Sequence, residues 1–240
     1  MNVPRDESFR LFEVNRWRMM GFFASAMLEF YRYMIVSDVD EFVVADPQTG
    51  MTAAEYIAHH YSTPKAPKNI SPFGLEIVHV PDQEPLPIER DETILSRRRF
   101  FRPNRNYSKP CIVGGPVSFG PGGHRNTLGP RHMPDDLYLL HLKFFDQKVL
   151  EDRAQRQKEI LQTAEDAGGL AAEKHPWNNT LANYYWILEN SEYKGEDIEQ
   201  KAFRKRMKDF QNEKFPRQYV WGYIKKRELF ELPSRFGTVL

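Results

Sequence analysis

Three features of the 240-residue sequence predict a mixed α/β domain over residues 1–148 followed by a helical region over 149–240. Short apolar runs with strand character recur from Tyr33 to Phe145. Glycine and proline punctuate them most densely at Gly114-Gly115, Gly120-Pro121-Gly122-Gly123 and Gly129-Pro130. From Leu150 onward the apolar spacing changes to that of helices.

Phe9 to Tyr31 opens the domain as an amphipathic helix, because Phe9, Phe12, Trp17, Met20, Phe23, Met27 and Phe30 recur at three to five positions. The helix leads into a short buried strand, Tyr33 to Val36, which runs into Asp38, Asp40 and Glu41. Asp46-Pro47 with Gly50 forms a turn. Thr52 with Glu55 three residues later is a capping box that opens a short helix. Further strands are expected in "SPFGLEIVHVP" (71–81), "ILSRRRFFR" (94–102) and "CIVGGPVSFG" (111–120), with "DLYLLHLKFF" (136–145) apolar enough to be central. Three helices then follow: 151–169, stopped by Gly168-Gly169, 177–191 and 197–211.

Composition bounds the chemistry. Apolar residues at 40% and charged residues at 28% are ordinary globular usage, and no run reaches the ~18 apolar residues of a membrane span. The single cysteine, Cys111, excludes an internal disulfide framework, a four-cysteine zinc site and CxxC redox chemistry. Met1 to Glu7 is polar and does not read as a secretory leader. Net charge is +1, yet Lys201 to Leu240 holds eleven Lys/Arg against four Asp/Glu. Phosphate or anionic lipid is the matching partner chemistry for that basic tail. No recognition motif accompanies its aromatics, so no specific nucleic acid is expected.

The acids after the first strand are the most informative stretch. Asp38 and Asp40 stand two apart and share a face if the strand continues, with Glu41 on the other. Like charges so close raise each other's pKa unless a cation relieves them. Oxygen ligands of this type suit Mg2+ or Mn2+, which fill their remaining positions with water and phosphate. The carboxyl end of a strand is also where open α/β sheets bind ligands.

Three segments in order, "SDVDEFV", "KPCIVGGPVSFGPGGHRNTL" and "LYLLHLKFFDQKVLEDR", together resemble GT-A type glycosyltransferases of family 2, over roughly Tyr33 to Arg153. The resemblance implies a GT-A-like mixed sheet with a helical C-terminal part, and transfer of a hexose from a nucleotide sugar to a glycan or lipid-linked acceptor. It implies Asp38 and Asp40 as the DxD pair that bridges Mn2+ or Mg2+ to the donor diphosphate, with Asp40 the direct ligand. His141 would be a further metal or phosphate contact, and Lys143 would neutralise a phosphate oxygen. His124, after glycines that let backbone approach a ligand, would lie in the sugar or acceptor pocket. The acceptor hydroxyl needs a base, for which Asp136, Asp135 and Glu41 are candidates, Asp136 first because it opens the strand carrying His141. A bacterial cytoplasm, or the inner face of its membrane reached through the basic tail, is the expected location.

Only 37 residues precede Asp38, whereas one βαβ unit takes ~30 or more. The first strands of a GT-A sheet are therefore expected to be missing, and exposed edges would favour a homodimer or rearranged packing. Two other functions fit parts of the sequence. A haloacid dehalogenase-type phosphatase also ends a strand in DxD, but its later strand should end in a carboxylate pair, and Asp135-Asp136 precedes its strand instead. A non-catalytic glycosyltransferase-like module would bind through Trp177, Tyr184, Tyr185 and the tail.

Overall fold

The computed structural model describes residues 12–166, 180–201, 204–205 and 228–240. In chain order these form α1 (Phe12–Met27), β1 (Met34–Ile35), β2 (Glu41–Ala45), α2 (Ala53–His60), β3 (Asn69–Ile70), β4 (Phe73–Val78), α3 (Ile94–Arg97), β5 (Phe100–Pro103), β6 (Ile112–Val113), β7 (Leu137–Phe144), α4 (Gln147–Asp166), α5 (Thr180–Asn190), β8 (Glu192–Tyr193) and β9 (Glu228–Glu231). The strands build a three-stranded sheet ordered β1-β6-β3 and a six-stranded sheet ordered β2-β7-β4-β5-β9-β8. Pairing is antiparallel in β2–β7 and parallel in β8–β9, so the larger sheet is mixed, in keeping with an α/β class.

Packing divides the chain into two units, one of Met1–Leu75, Pro103–His141 and Glu199–Lys225, the other of Glu76–Arg102, Leu142–Ile198 and Lys226–Leu240. The chain thus passes between the units several times.

In the first unit, Ala45, Tyr56, Ile57, Tyr61, Ile70, Ile112, Leu137 and Leu139 form one apolar cluster. Trp17 and Ala24 of α1 pack with Val36, Val113, Val117 and Phe119 in another. Helix α1 is less one-sided than its spacing predicts, since Met19, Phe22 and Phe23 face solvent. The capping box of α2 forms as expected, with the Thr52 hydroxyl accepting from the Glu55 N–H and the Glu55 carboxylate accepting from the Thr52 N–H. In the second unit, Val78, Phe144, Leu150, Tyr184, Ile187 and Leu229 form the core.

Several elements differ from expectation for local reasons. Segment 94–102 begins as α3, and only Phe100 onward is strand. Arg98 between them turns its guanidinium inward, where Nη2 meets Asp146 Oδ2 at 2.7 Å, a demand that strand alternation would not meet. In segment 111–120 the strand is confined to Ile112–Val113. The Gly114 N–H still bonds the Lys68 carbonyl in the β3–β6 register, and Gly115-Pro116 then ends the strand because proline has no N–H to donate. The expected helical C-terminal region contains β8 and β9 among its described residues. Most of the helix expected over 197–211 and of the basic tail, with Trp177 and Gly168-Gly169, lies outside the described residues. Among the described residues no helix is long and apolar enough to cross a membrane.

Candidate functional site

The acid segment is a link between two strands, closing with Glu41 as the first residue of β2. β2 itself is legible only in the fold, where Glu41 pairs with His141 and Ala45 with Leu137 across the antiparallel ladder. That register brings Asp40, which directly precedes β2, and His141 of β7 to one end of the pairing.

Buried acids need counter-charges, and here the protein supplies two. Asp38 Oδ1 accepts from Arg16 Nη1 at 2.6 Å and Oδ2 from Lys109 Nζ at 3.0 Å. The same ammonium lies 2.5 Å from Glu41 Oε1, with both side chains buried. Burial alone would raise the Asp38 pKa, but the charge of Lys109 and the hydrogen bond from Arg16 outweigh it and hold the carboxyl below its ordinary value. Lys109 is also flanked by the rings of Trp17, at 5.5 Å from the centroid, and Tyr107, at 5.9 Å.

Asp40 is placed differently. Its Oδ2 lies 3.6 Å from His141 Nε2, and its side chain is 31% exposed whereas that of His141 is 5% exposed. The Tyr107 ring stacks on the His141 imidazole with centroids 3.6 Å apart and planes at 17°, packing against the ring that faces Asp40. Ligand atoms around an octahedral Mg2+ stand roughly 3 Å apart, so a small swing of the solvent-facing Asp40 would make the pair a two-ligand edge. Asp38 does not fit as a third ligand, because each of its oxygens already accepts from a cation. Among the described residues no group of three or more His, Cys, Asp or Glu side chains is arranged to hold a metal ion.

The remaining expected residues separate. Asp136 is exposed at the opposite end of β7, five residues from His141, or ~16 Å at strand rise. Its carbonyl accepts from the Asp46 N–H. Asp135 beside it is exposed too. The Leu137–Ala45 pairing that begins β7 there sets this distance, so neither acid reaches Asp40 along the sheet. Lys143 belongs to the second unit, with its ammonium 5.5 Å from the Phe144 centroid.

His124 follows the 3₁₀ turn Pro121–Gly123, and its Nδ1 lies 2.7 Å from the Asn106 carbonyl. Enclosure by surrounding protein, and then the charge of Lys109, lower its pKa, which keeps the imidazole neutral at pH 7 although its outer edge meets solvent. Nδ1–H is then the donor to Asn106, and Nε2 is left as the basic atom. Gly123 directly before it serves a packing need. A Cβ on Gly123, whose φ is +67°, would lie 2.4 Å from the Trp17 ring. The close approach expected for a ligand is used by an indole.

Sequence reasoning assigned no role to Arg16, Lys109, Tyr107 or Trp17. The signal available was indirect, since acids buried beside a strand require cations from elsewhere in the chain. Arg204, from the basic tail, is likewise buried, with its guanidinium carbon 4.1 Å from the Phe73 centroid and Nη1 donating to the Pro134 carbonyl. The second unit holds a separate cavity of about 570 Å³, lined by Pro85, Leu86, Pro87 and Ile88 beside the Arg98–Asp146 pair. Compared with models of known families, with curated proteins and with solved structures, the chain matches none.

Proposed function

We propose that the chain transfers a hexose from a nucleotide sugar to a glycan or lipid-linked acceptor hydroxyl, with Mn2+ or Mg2+ held by Asp40 and His141. The observation that carries this reading is the Asp40–His141 pair, 3.6 Å apart, beside acids whose charge is already balanced within the protein. Two protein ligands leave positions for water and phosphate, the usual manner of holding Mg2+. When bound, the ion supplies charge neutralisation for the departing diphosphate.

The chain's own residues do the rest. Asp38, pinned by Arg16 and Lys109, orients the link that carries Asp40. Tyr107 fixes the His141 ring. His124 takes the base role in place of Asp136, because it is exposed on its turn with Nδ1 held by the Asn106 carbonyl, which leaves Nε2 to accept a proton. Its Nε2 accepts the acceptor's hydroxyl proton as that oxygen attacks the anomeric carbon. The pinning of Asp38 disfavours the phosphatase alternative, in which this carboxylate would be a free nucleophile.

Isothermal titration with Mn2+ and a panel of nucleotide sugars tests the reading. Wild type should bind a donor only when the ion is present, and Asp40→Ala should lose that ion dependence. Donor binding that is unchanged by Asp40→Ala removes the metal assignment. A chain that binds neither ion nor any donor leaves the non-catalytic module as the better account.

A further inference from the structure

We propose that Lys109 is a built-in cation of the Asp38-Val39-Asp40-Glu41 segment, a positioning residue occupying the place that a divalent ion would otherwise take between Asp38 and Glu41. The inference extends the reading of Asp40 as the ion ligand and rests on it for its functional meaning. Its structural part stands on the ion pairs alone.

The Lys109 side chain is 3% exposed, and its ammonium lies 3.0 Å from Asp38 Oδ2 and 2.5 Å from Glu41 Oε1. One cation thus joins the residue that starts the acid link's DxD to the residue that starts β2, and Glu41 Oε2 closes the loop by accepting from the Asp38 N–H at 3.3 Å. Arg16 takes the other oxygen of Asp38 and also Glu13. Two carboxylates of this segment are therefore held in place by fixed charges, while Asp40 stays solvent-facing beside His141. A divalent ion entering the segment meets an ammonium between Asp38 and Glu41 and a half-open carboxylate at Asp40. Coulomb repulsion directs it to Asp40. In this arrangement the segment keeps its shape before any ion or donor arrives, which reduces the ordering cost of binding.

Replacing Lys109 by methionine keeps most of the stem volume and removes the charge. Lys109→Met should unfold at a lower temperature than wild type in chelator. It should recover with millimolar Ca2+ or Mn2+ by binding one ion more than wild type, counted by isothermal titration. Lys109→Met combined with Asp38→Asn and Glu41→Gln should recover stability in chelator and lose the added ion. An unchanged melting temperature and ion count in Lys109→Met would overturn the proposal. So would a triple variant that fails to recover stability, since Lys109 would then matter through its packing. Asp40→Asn in the wild-type background separates the two ideas. If it leaves ion and donor binding intact, the transferase reading fails while the added ion of Lys109→Met remains.

Discussion

The phenol ring of Tyr107 lies flat on the imidazole of His141, 3.6 Å between centroids, and so couples a loop residue to the strand residue paired with Glu41. Removing the ring should free His141 to turn. Tyr107→Ala is expected to cost about 0.5–1.5 kcal/mol for the aromatic pair plus lost apolar burial, and to weaken Mn2+ binding at the proposed Asp40–His141 site several-fold. Tyr107→Phe should retain both properties. Chemical denaturation and manganese titration measure the two effects independently.

In the second unit, Arg98 and Asp146 form an ion pair of 2.7 Å with side chains 2% and 13% exposed. Burial would raise the Asp146 pKa, but the hydrogen bond and charge of Arg98, with the Val149 N–H, bring it below the ordinary 3.8. A carboxyl depressed in the folded state contributes stability that is complete above its unfolded pKa and is lost as pH falls through the folded one. Stability should therefore decline below about pH 4 through this pair. Asp146→Asn should flatten that part of the profile while costing ~3–5 kcal/mol at neutral pH. Denaturation between pH 2 and 7 checks both.

Gly50 and Gly123 share left-handed backbone, with φ of +65° and +67°, but only Gly123 has a neighbour within 4 Å of a Cβ, the Trp17 ring at 2.4 Å. Gly50→Ala should cost about 1 kcal/mol through backbone strain alone. Gly123→Ala should cost ~1–3 kcal/mol beyond that from overpacking, and Trp17→Leu in the same chain should recover part of the excess. Paired denaturation curves read the difference.

Cys111 is 1% exposed, and burial, with the Glu41 charge second, pushes its thiol up to about 12. Thiolate is then scarce at pH 8. Iodoacetamide should modify the native chain orders of magnitude more slowly than the urea-unfolded chain, followed by mass spectrometry.

Local patterns made much of the fold readable. The capping box at Thr52–Glu55 is decided by residues three apart. The mostly apolar β7, interrupted only by His141 and Lys143, shows itself as a buried strand whatever its neighbours are. Glu76 does not show itself, because it is 1% exposed in β4 with its charge met by Arg102, 26 positions away in sequence. The strand beginning at Glu41 was missed for the same kind of reason. A carboxylate reads as the end of an apolar run until its cation is known.

Residues 34 to 45 state unaided that acids follow an apolar strand, and they ask what balances the charge. The balance comes from Arg16, 22 positions before Asp38, and from Lys109, 71 positions after it. Strand pairing likewise placed His141 opposite Glu41 and carried Asp136 to the far end of the same ladder. Periodicity and capping act within a few residues of chain, so sequence determines them alone. Charge compensation and register act across space, through pairings whose sequence separation is set by the folded chain, and only tertiary structure could decide them.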